Sequence, residues 1–561
     1  MSEDAKTLIN WYEYVWGRQS NFRSLWNTVA QFAMPAWDNF IGEFAEGVNR
    51  NTRIFDSTGV TANERFAAAM NSMLTPRSSV WHKVKTSDPD FNRVPAIARY
   101  YETVNAKMFA ARYHWEAAYA SNVDICYMSL GAFGNHALFV DERPSSTGQW
   151  HHRTMMYLAV PLNEICWAVN HMGLVDTLFR KFKYTGKQAA EHWGEKCLPG
   201  AVQRQLKQNP FIESEYLHCV YPNAEHDPFA FFGPKAFRFH SVYIYLGDKG
   251  IVDWGGYRTF PFGIGRYRVA PNENYGRGPA INCFPHVRTA NEMVKTGLRV
   301  GQKAADPPIL LADDGILTNF NQRAGANNFG MLTDQGNELA KPFTSGANWQ
   351  MSETMLEGER NVIRDNFLNT LFQILVENPN MTATEALLRA QEKGELIAPA
   401  MGRQQSEFLG NQIRRERDIM ENAHAFPPKP PELVRALLRG DVGEEIEFTS
   451  PLARALKAEE GTAIMNTIAD VSTIGQIDPT VRTVFDFHGA ARRMAEIRGF
   501  PAIFVRSEEE AAQIMEETQQ QQEGQAATAA APDVSQSILN LAKASQAAGA
   551  AGGPAPVAAA A

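Results

Sequence analysis

The sequence predicts an α+β fold built from several subdomains, and three observations carry that prediction. Apolar residues recur at helical spacing through roughly the first 121 residues and again after residue 279. Between about 122 and 275 the pattern turns to the two-residue alternation of strands. At 561 residues the chain exceeds one comfortable core, so two to four subdomains are expected, and a hydrophobic share of 44% gives them material to bury.

In the N-terminal part, Leu8, Tyr12, Val15 and Trp16 share one helical face, as do Phe66, Met70, Met73 and Leu74. Asp56-Ser57-Thr58-Gly59 breaks the chain between these helices, and Thr61-Ala62-Asn63-Glu64 is the expected cap of the second. His136–Val140 and Thr154–Leu158 flank a turn rich in Pro, Ser and Gly and predict a hairpin. Phe237–Leu246 alternates, and Gly247-Asp248-Lys249-Gly250 turns it back into Ile251-Val252. Residues 186–208 read as one amphipathic helix between strands. Tyr275-Gly276-Arg277-Gly278-Pro279 makes a turn, and a helix follows to about Ala305. Asp306-Pro307-Pro308 stops it, since a proline forces the residue before it out of helical geometry.

A loop-rich segment follows, with turns at Asp313-Asp314-Gly315 and between Gly325 and Gly330. The next helix runs from about Met351 to Val376. Asn378-Pro379-Asn380 breaks it, and Thr382-Ala383-Thr384-Glu385 is a capping box that opens a third. Pro427–Pro431 is a stiff connector into a compact helical segment that ends near Thr518. The Gln519–Gln522 run and the Ala-, Gly- and Pro-rich remainder read as a disordered tail; an idle tail is the better reading of its composition, with a short helix over Ser537–Ala544 on a partner as the alternative.

Composition narrows the function classes. A formal net charge of −8 argues against a surface that holds nucleic acid everywhere, while leaving room for DNA that only passes through. The five cysteines (Cys126, Cys166, Cys197, Cys219, Cys283) are odd in number and lack CxxC spacing, which fits a reducing compartment and argues against zinc. The first residues lack the basic-then-apolar layout of a signal peptide. No apolar run approaches the roughly 18 residues that span a bilayer, so a protein made soluble in a cytoplasm is expected.

No catalytic residue, metal ligand or cofactor is assigned. The chain has no GxxxxGK(S/T) loop, no HExxH and no GxSxG. Gly263-Ile264-Gly265 and Gly276-Arg277-Gly278 lack the third glycine and the strand–helix setting of a dinucleotide site. His151 and His152, adjacent in a strand, point to opposite faces and are poorly placed to chelate one ion. Asp313-Asp314 suits a solvated turn better than a cation site.

Several short blocks occur in one order. Phe55-Asp56-Ser57-Thr58 precedes a helix ending in Met73-Leu74-Thr75-Pro76, with Trp81 shortly after. Gly131-Ala132-Phe133-Gly134-Asn135-His136-Ala137-Leu138 comes next, and Tyr275–Pro279 leads into Thr289-Ala290-Asn291-Glu292-Met293. Asp306-Pro307-Pro308, Met381-Thr382-Ala383-Thr384-Glu385 and Ser450-Pro451-Leu452-Ala453-Arg454-Ala455 complete the set. With these blocks, across residues 8–515, the chain resembles the portal, or head-to-tail connecting, proteins of short-tailed (podovirus-type) bacteriophages. It departs from them near Arg77-Ser78, where the family often has a second small or proline residue, and in its alanine-rich tail.

The resemblance implies a structural protein rather than an enzyme, with a portal fold of wing, two-helix stem, clip and helical crown assembled as a dodecameric ring. Laid on this sequence, 1–278 is wing, 279–305 the first stem helix, 306–349 the clip and 350–376 the second stem helix. Residues 377–382 are then a tunnel loop, 383–450 a long helix returning to the wing, 451–518 the crown and 519–561 the disordered tail. Aromatic-rich stretches of the wing such as Phe229–Phe232 would support the surface that joins protomers. The implied function is a channel at one capsid vertex for packaging, retaining and ejecting double-stranded DNA, in a virion assembled in the cytoplasm of a bacterial host. Implied partners are further copies of the chain, the major capsid protein, the scaffolding protein, the terminase large subunit, tail adaptor and ejection proteins, and double-stranded DNA without sequence preference. No membrane is implied.

Lys295, Arg299 and Lys303 recur every four residues on one face of the first stem helix, with Arg288 seven residues before Lys295. On a lone chain such a stripe is a solvated face. In a ring each position becomes a circle of like charge, and an inward face sets those circles along the phosphate path. Glu357, Glu359 and Asp365 on the second stem helix are the candidates for charge pairs between subunits, and Asn378 and Asn380 for weak polar contacts in the tunnel loop. Two rival readings differ in class. Another virion component, of the internal core or tail, would form no closed ring. A DNA-processing enzyme would need a convergent carboxylate or His cluster.

Overall fold

The computed structural model describes residues 5–42, 45–143, 154–228, 232–311, 335–338, 340–342, 349–369, 401–449, 451–474 and 484–498, together with 230, 332, 511, 513, 514 and 541–543. Helices and a set of antiparallel sheets mix within it, as the α+β expectation required. The chain divides into a larger unit of residues 1–84, 103–428 and 445–482, and a smaller one of 85–102, 429–444 and 483–561.

The larger unit opens with α1 (Ala5–Arg18) and α2 (Ser20–Ala33), whose apolar faces bury Leu8, Tyr12, Val15, Trp26 and Val29. α3 (Thr58–Leu74) starts ahead of the expected cap at Thr61, because the Asp56 carboxylate accepts the Thr58 N–H and begins the helix there. β1 (His82–Thr86) follows, a strand inside a stretch whose sequence reads as helical; α4 (Pro89–Arg93) and the start of α5 (Pro95–Arg112) belong to the smaller unit, and α5 is in the larger unit from residue 103. α6 (Tyr119–Phe133) forms the centre of the core and buries Val123, Tyr127, Leu130 and Phe133. It can approach α3 closely only because residue 131 is glycine: a Cβ there would lie 2.1 Å from Asn63 Oδ1.

β2 (Asn135–Arg143) and β3 (Thr154–Val160) form the expected hairpin, with Val140 opposite Tyr157. β4 (Ile165–Val169), β5 (Val175–Thr185), β6 (Glu213–Pro222), β7 (Phe239–Tyr245) and β8 (Gly250–Tyr257) make a five-stranded antiparallel meander in chain order. Its β7–β8 turn is the one the sequence marked at Gly247–Gly250. The single helix expected over 186–208 is two, α7 (Gly186–Trp193) and α8 (Gly200–Gln208). Gly194 at φ +85° and Pro199 separate them. β9 (Phe262–Arg266) then pairs with the free side of β2, giving the order β3-β2-β9. α1 packs against the meander through Leu8, Tyr12 and Val15, beside Phe179, Leu217 and Ile244.

The short strands β10 (Arg268–Val269) and β11 (Gly276–Arg277) bring the chain across the end of α6. Gly134 lies there at φ +74°, and a Cβ on Gly278 would sit 2.6 Å from the Gly134 nitrogen and 2.7 Å from the Leu130 oxygen. The Asn135 side chain completes the crossing by exchanging two hydrogen bonds with the backbone of Gly276. The Gly276-Arg277-Gly278 fragment is thus a close backbone crossing. The helix expected from Pro279 to Ala305 is interrupted at Cys283, giving α9 (Pro279–Asn282) and α10 (Phe284–Ala305), with Pro285 in the first turn of α10 where its missing N–H costs nothing. Asp306 ends α10 as expected.

In the expected clip span, β12 (Ile309–Leu311) pairs antiparallel with β13 (Ala340–Pro342). The turns expected at Asp313-Asp314-Gly315 and between Gly325 and Gly330 lie outside the described residues. α11 (Trp349–Asn366) is broken within the expected span, because Leu368 adopts a left-handed φ of +60° and Phe367 turns into the core, its ring 6.2 Å from that of Phe66; Asn369 is helical again, and 370–376 lie outside the described residues. Asn378, Asn380, the Thr382–Glu385 capping box, His151 and His152 lie outside the described residues.

Helical residues from Met401 lead into a π-helical stretch, Gln404–Leu409, and then α12 (Gly410–Asn422). The glycines of Gly263-Ile264-Gly265 make room for that stretch: a Cβ on Gly263 would lie 2.8 Å from the Phe408 ring, and one on Gly265 2.4 Å from Gln404 Oε1. In the smaller unit, α13 (Pro431–Arg439) follows the expected proline connector, and Ser87 and Tyr101 bond Gly443 and Glu444 respectively. β14 (Glu444–Phe448) and α14 (Pro451–Ile474) return to the larger unit from residue 445, and α15 (Phe487–Arg498), in the smaller unit, completes the described elements. Of the expected tail, only 541–543 fall among the described residues, and they are helical.

Among the described residues, three histidines are fully buried. Burial holds His82 and His218 well below the usual imidazole range, helped by Arg112 beside the first and by Arg180 and His192 near the second. Burial also lowers His136 to about 4, against a hydrogen bond with Gln404 that favours the charged form. A histidine lowered on folding binds its proton better in the unfolded chain, so its contribution is complete above about pH 6.5 and is lost as pH falls toward the folded value. For His136 alone the change is on the order of 3 kcal/mol. The urea midpoint is therefore expected to fall between pH 6.5 and 4.5, and His136→Gln to flatten that fall. A midpoint flat across this window would overturn the assignment.

Candidate functional site

α10 and α11 form the feature to which the sequence points. The buried side of α10 carries Val287, Ala290, Asn291 and Gly297. Beyond Gly297 every α10 residue except Val300 is exposed, so the last two turns project from the core. Arg288, Arg299 and Lys303 are exposed and Lys295 half-buried, all along one side of the helix. Lys295 is already engaged: its Nζ lies 3.3 Å from Glu292 Oε1 and 5.6 Å from the centre of the Phe55 ring. Glu292 lies within the stripe, which therefore carries four cationic groups and one carboxylate. An open groove of about 600 Å³ runs between the helices, lined by Arg288, Glu292, Met293, Val300 and Leu356 among others.

α11 buries Leu356 and Ile363. Its candidate acids have partners within the chain. Glu359 Oε2 is 2.7 Å from His286 Nδ1 and ties α11 to α10. Glu357 pairs with Arg364 at 2.7 Å and Arg360 at 3.5 Å on its own helix, and the Arg364 hydrogen bond holds its carboxyl below the usual range. Asp365 is exposed at the end of the helix, where its carbonyl accepts the Leu368 N–H.

At the base of the pair, one residue from each helix grips the loop before α3. The Asn291 carboxamide accepts from the Phe55 and Asp56 N–H groups at 2.7 and 3.1 Å and donates to the Arg53 carbonyl at 3.1 Å. Arg360 donates through Nε and Nη2 to Asp56 Oδ2, at 2.9 and 2.7 Å. Burial pushes the Asp56 carboxyl up, but hydrogen bonds from Thr58 and the Arg360 guanidinium outweigh it and hold the group below the usual carboxylate range. The sequence blocks contained Asp56 and Asn291 without showing that they meet. Arg360 carried no local signal, since its partner lies 304 residues away.

A second charged cluster is fully enclosed. Arg112 and Glu416 are both completely buried and paired. Glu416 also accepts from Tyr157 Oη and Gln412 Nε2, each at 2.7 Å. The Arg112 guanidinium lies 4.3 Å from the centre of the Trp81 ring. Burial alone would lower the Arg112 pKa, and attraction to Glu416 raises it instead. This cluster has no opening for a substrate and acts as a structural tie among β1, β3, α5 and α12.

Among the described residues, no group of His, Cys, Asp and Glu is arranged to hold a metal ion, and no helix is long and apolar enough to cross a membrane. What the α10–α11 pair offers is a projecting, largely cationic edge on a firmly held base, suited to contact with polyanions.

The chain belongs to the bacteriophage head to tail connecting protein family, whose model matches residues 5–505. Portal proteins stand among its relatives. It is 24% identical over 508 residues to a probable portal protein of Bordetella phage BPP-1, spanning 88% of each chain. It is 25% identical over 545 residues to the portal protein of Salmonella phage epsilon15, spanning 92% of this chain and 93% of that protein. A chain from the virion of a native gene transfer agent particle aligns at 10% identity with a TM-score of 0.33, covering 76% of this chain and 92% of the other. Membership of the family gives the chain a portal, or head-to-tail connector, role.

Proposed function

We propose that copies of this chain close into a ring, about twelve in number, at one vertex of a phage capsid, and that double-stranded DNA enters and leaves through its centre. The observation that carries this reading is the family match across residues 5–505. The α10–α11 pair would be the stem that lines the channel, 306–349 the clip that docks the terminase and later the tail proteins, and 451–518 the crown. Residues 1–278 would be the wing, through which protomers join and meet capsid and scaffolding proteins. Phe232, 92% exposed on the single chain, belongs to a surface of that kind. The stripe of Arg288, Lys295, Arg299 and Lys303 would steady DNA without reading its bases, since phosphates carry no sequence. Glu357, Glu359 and Asp365 would trade charge contacts with the neighbouring subunit, and Asn378 and Asn380 would touch DNA in the tunnel loop. The role is architectural, with ATP hydrolysis left to the terminase.

Native mass spectrometry tests the ring, combined with negative-stain images of the chain purified alone and co-expressed with the phage's scaffolding and capsid proteins. A closed ring of about twelve copies with a central hole is expected. A chain that stays monomeric or dimeric in both preparations would sink the reading.

A further inference from the structure

The α10–α11 pair meets the rest of its unit through α2, α3 and α9. At that base both helices grip the same loop. Asn291 holds the backbone of Arg53, Phe55 and Asp56, and Arg360 holds the Asp56 side chain. Asn291 is 3% exposed and Asp56 7%. The Arg360 side chain is 30% exposed, but the carboxylate it holds is buried, and a buried polar group is costly to leave unmade, so the grip favours one pose over a range. The loop runs directly into α3, whose first N–H is held by the other oxygen of the same Asp56 carboxylate. α11 and α3 are therefore referred to a single carboxylate, and α10 to the backbone of the same residue and its neighbours.

From Asn291, α10 continues to Ala305, a lever of about 21 Å at 1.5 Å per residue. A turn of about 5° at the base then moves the tip by roughly 2 Å, enough to unseat side chains packed against a neighbour.

We propose that Asn291 and Arg360 are positioning residues, which set the angle at which the helix pair projects and through it the number of copies that a closed ring accepts. The inference rests on the ring reading above. In a closed ring each copy is turned from the next by the full circle divided by the copy number, about 30° for twelve and about 28° for thirteen. A difference of about 2° separates one count from the next, so the stiffness of this joint selects between them.

Native mass spectrometry of assembled particles tests this on the full chain, comparing Asn291→Ala, Arg360→Ala and Arg360→Lys. Gln302→Ala, an exposed change on the same helix away from the grip, is the control. Wild type and the control are expected to give one copy number. Asn291→Ala and Arg360→Ala are expected to spread over at least two neighbouring numbers. Arg360→Lys keeps the charge but not the two-nitrogen grip and should fall between them. Variant rings that all keep the wild-type number overturn the inference and leave the ring reading intact. A wild-type chain that closes no ring overturns the ring reading itself. Should Arg360→Ala fail to fold, Arg360→Lys decides, because its cation still neutralises Asp56.

Discussion

Glu416→Ala is expected to destabilise the larger unit by about 3–5 kcal/mol, because it strands a guanidinium in the core. Arg112 and Glu416 have no exposed side-chain surface, and Arg112 Nε donates to Glu416 Oε1 at 3.0 Å. Tyr157 and Gln412 complete the carboxylate's shell, and each would lose an acceptor with it. His82, 3.2 Å from Arg112 Nη1, cannot replace the lost negative charge, since an imidazole is only neutral or cationic, and here burial and Arg112 itself keep it neutral. The loss measures a broken pair rather than the worth of the pair. Removing both charges in Arg112→Met/Glu416→Leu should recover most of it, because burying two ions is costly even when they meet. Chemical unfolding of the two single variants and the double gives the coupling directly. A Glu416→Ala midpoint equal to that of wild type would show that water reaches Arg112.

The same cluster marks where the sequence stops being readable. Local signals are legible. Alternation found the β2–β3 hairpin and the β7–β8 turn, and Asp306-Pro307-Pro308 ends α10 because proline acts on its immediate neighbours. Signals that depend on distant partners are not. β1 and β14 are short and charge-rich, and they became strands by pairing with each other from opposite ends of the chain. α11 ends where Phe367 finds Phe66, with no glycine or proline to announce it. The recurring blocks lie between these extremes. Phe55–Thr58 and Thr289–Met293 meet at Asn291, and Gly131–Leu138 crosses Tyr275–Pro279 at Gly134 and Gly278. Each block looks like a common turn by itself, and each is constrained by another block far away. The basic stripe was legible because helical period alone generates it. The grip beneath it was not, because Arg360 is an ordinary helix-surface arginine until Asp56 is placed beside it.

Changing Arg299 and Lys303 together to glutamate is expected to lower the affinity of the assembled ring for double-stranded DNA by at least about 100-fold near physiological salt. From Arg288 to Lys303 the stripe extends about 22 Å along the helix. Duplex DNA presents one charge per 1.7 Å of axis, so about 13 phosphates pass beside a stripe of that length. Each reversal shifts the charge by two per subunit, and a ring repeats it around the whole circumference. Arg299 and Lys303 should dominate, because they lie on the exposed turns of α10, whereas Lys295 is engaged by Glu292. Lys295→Glu alone should accordingly have the smaller effect. Salt dependence separates direct binding from a general field. If these cations touch phosphates, log affinity against log salt becomes shallower by about 0.9 for each phosphate no longer neutralised, and equally for every DNA sequence tried. Rings that keep the wild-type slope after the double reversal would place the stripe away from the DNA path. The α10 cations would then serve the interface between neighbouring subunits, and the same substitutions would show their effect in the yield of closed rings.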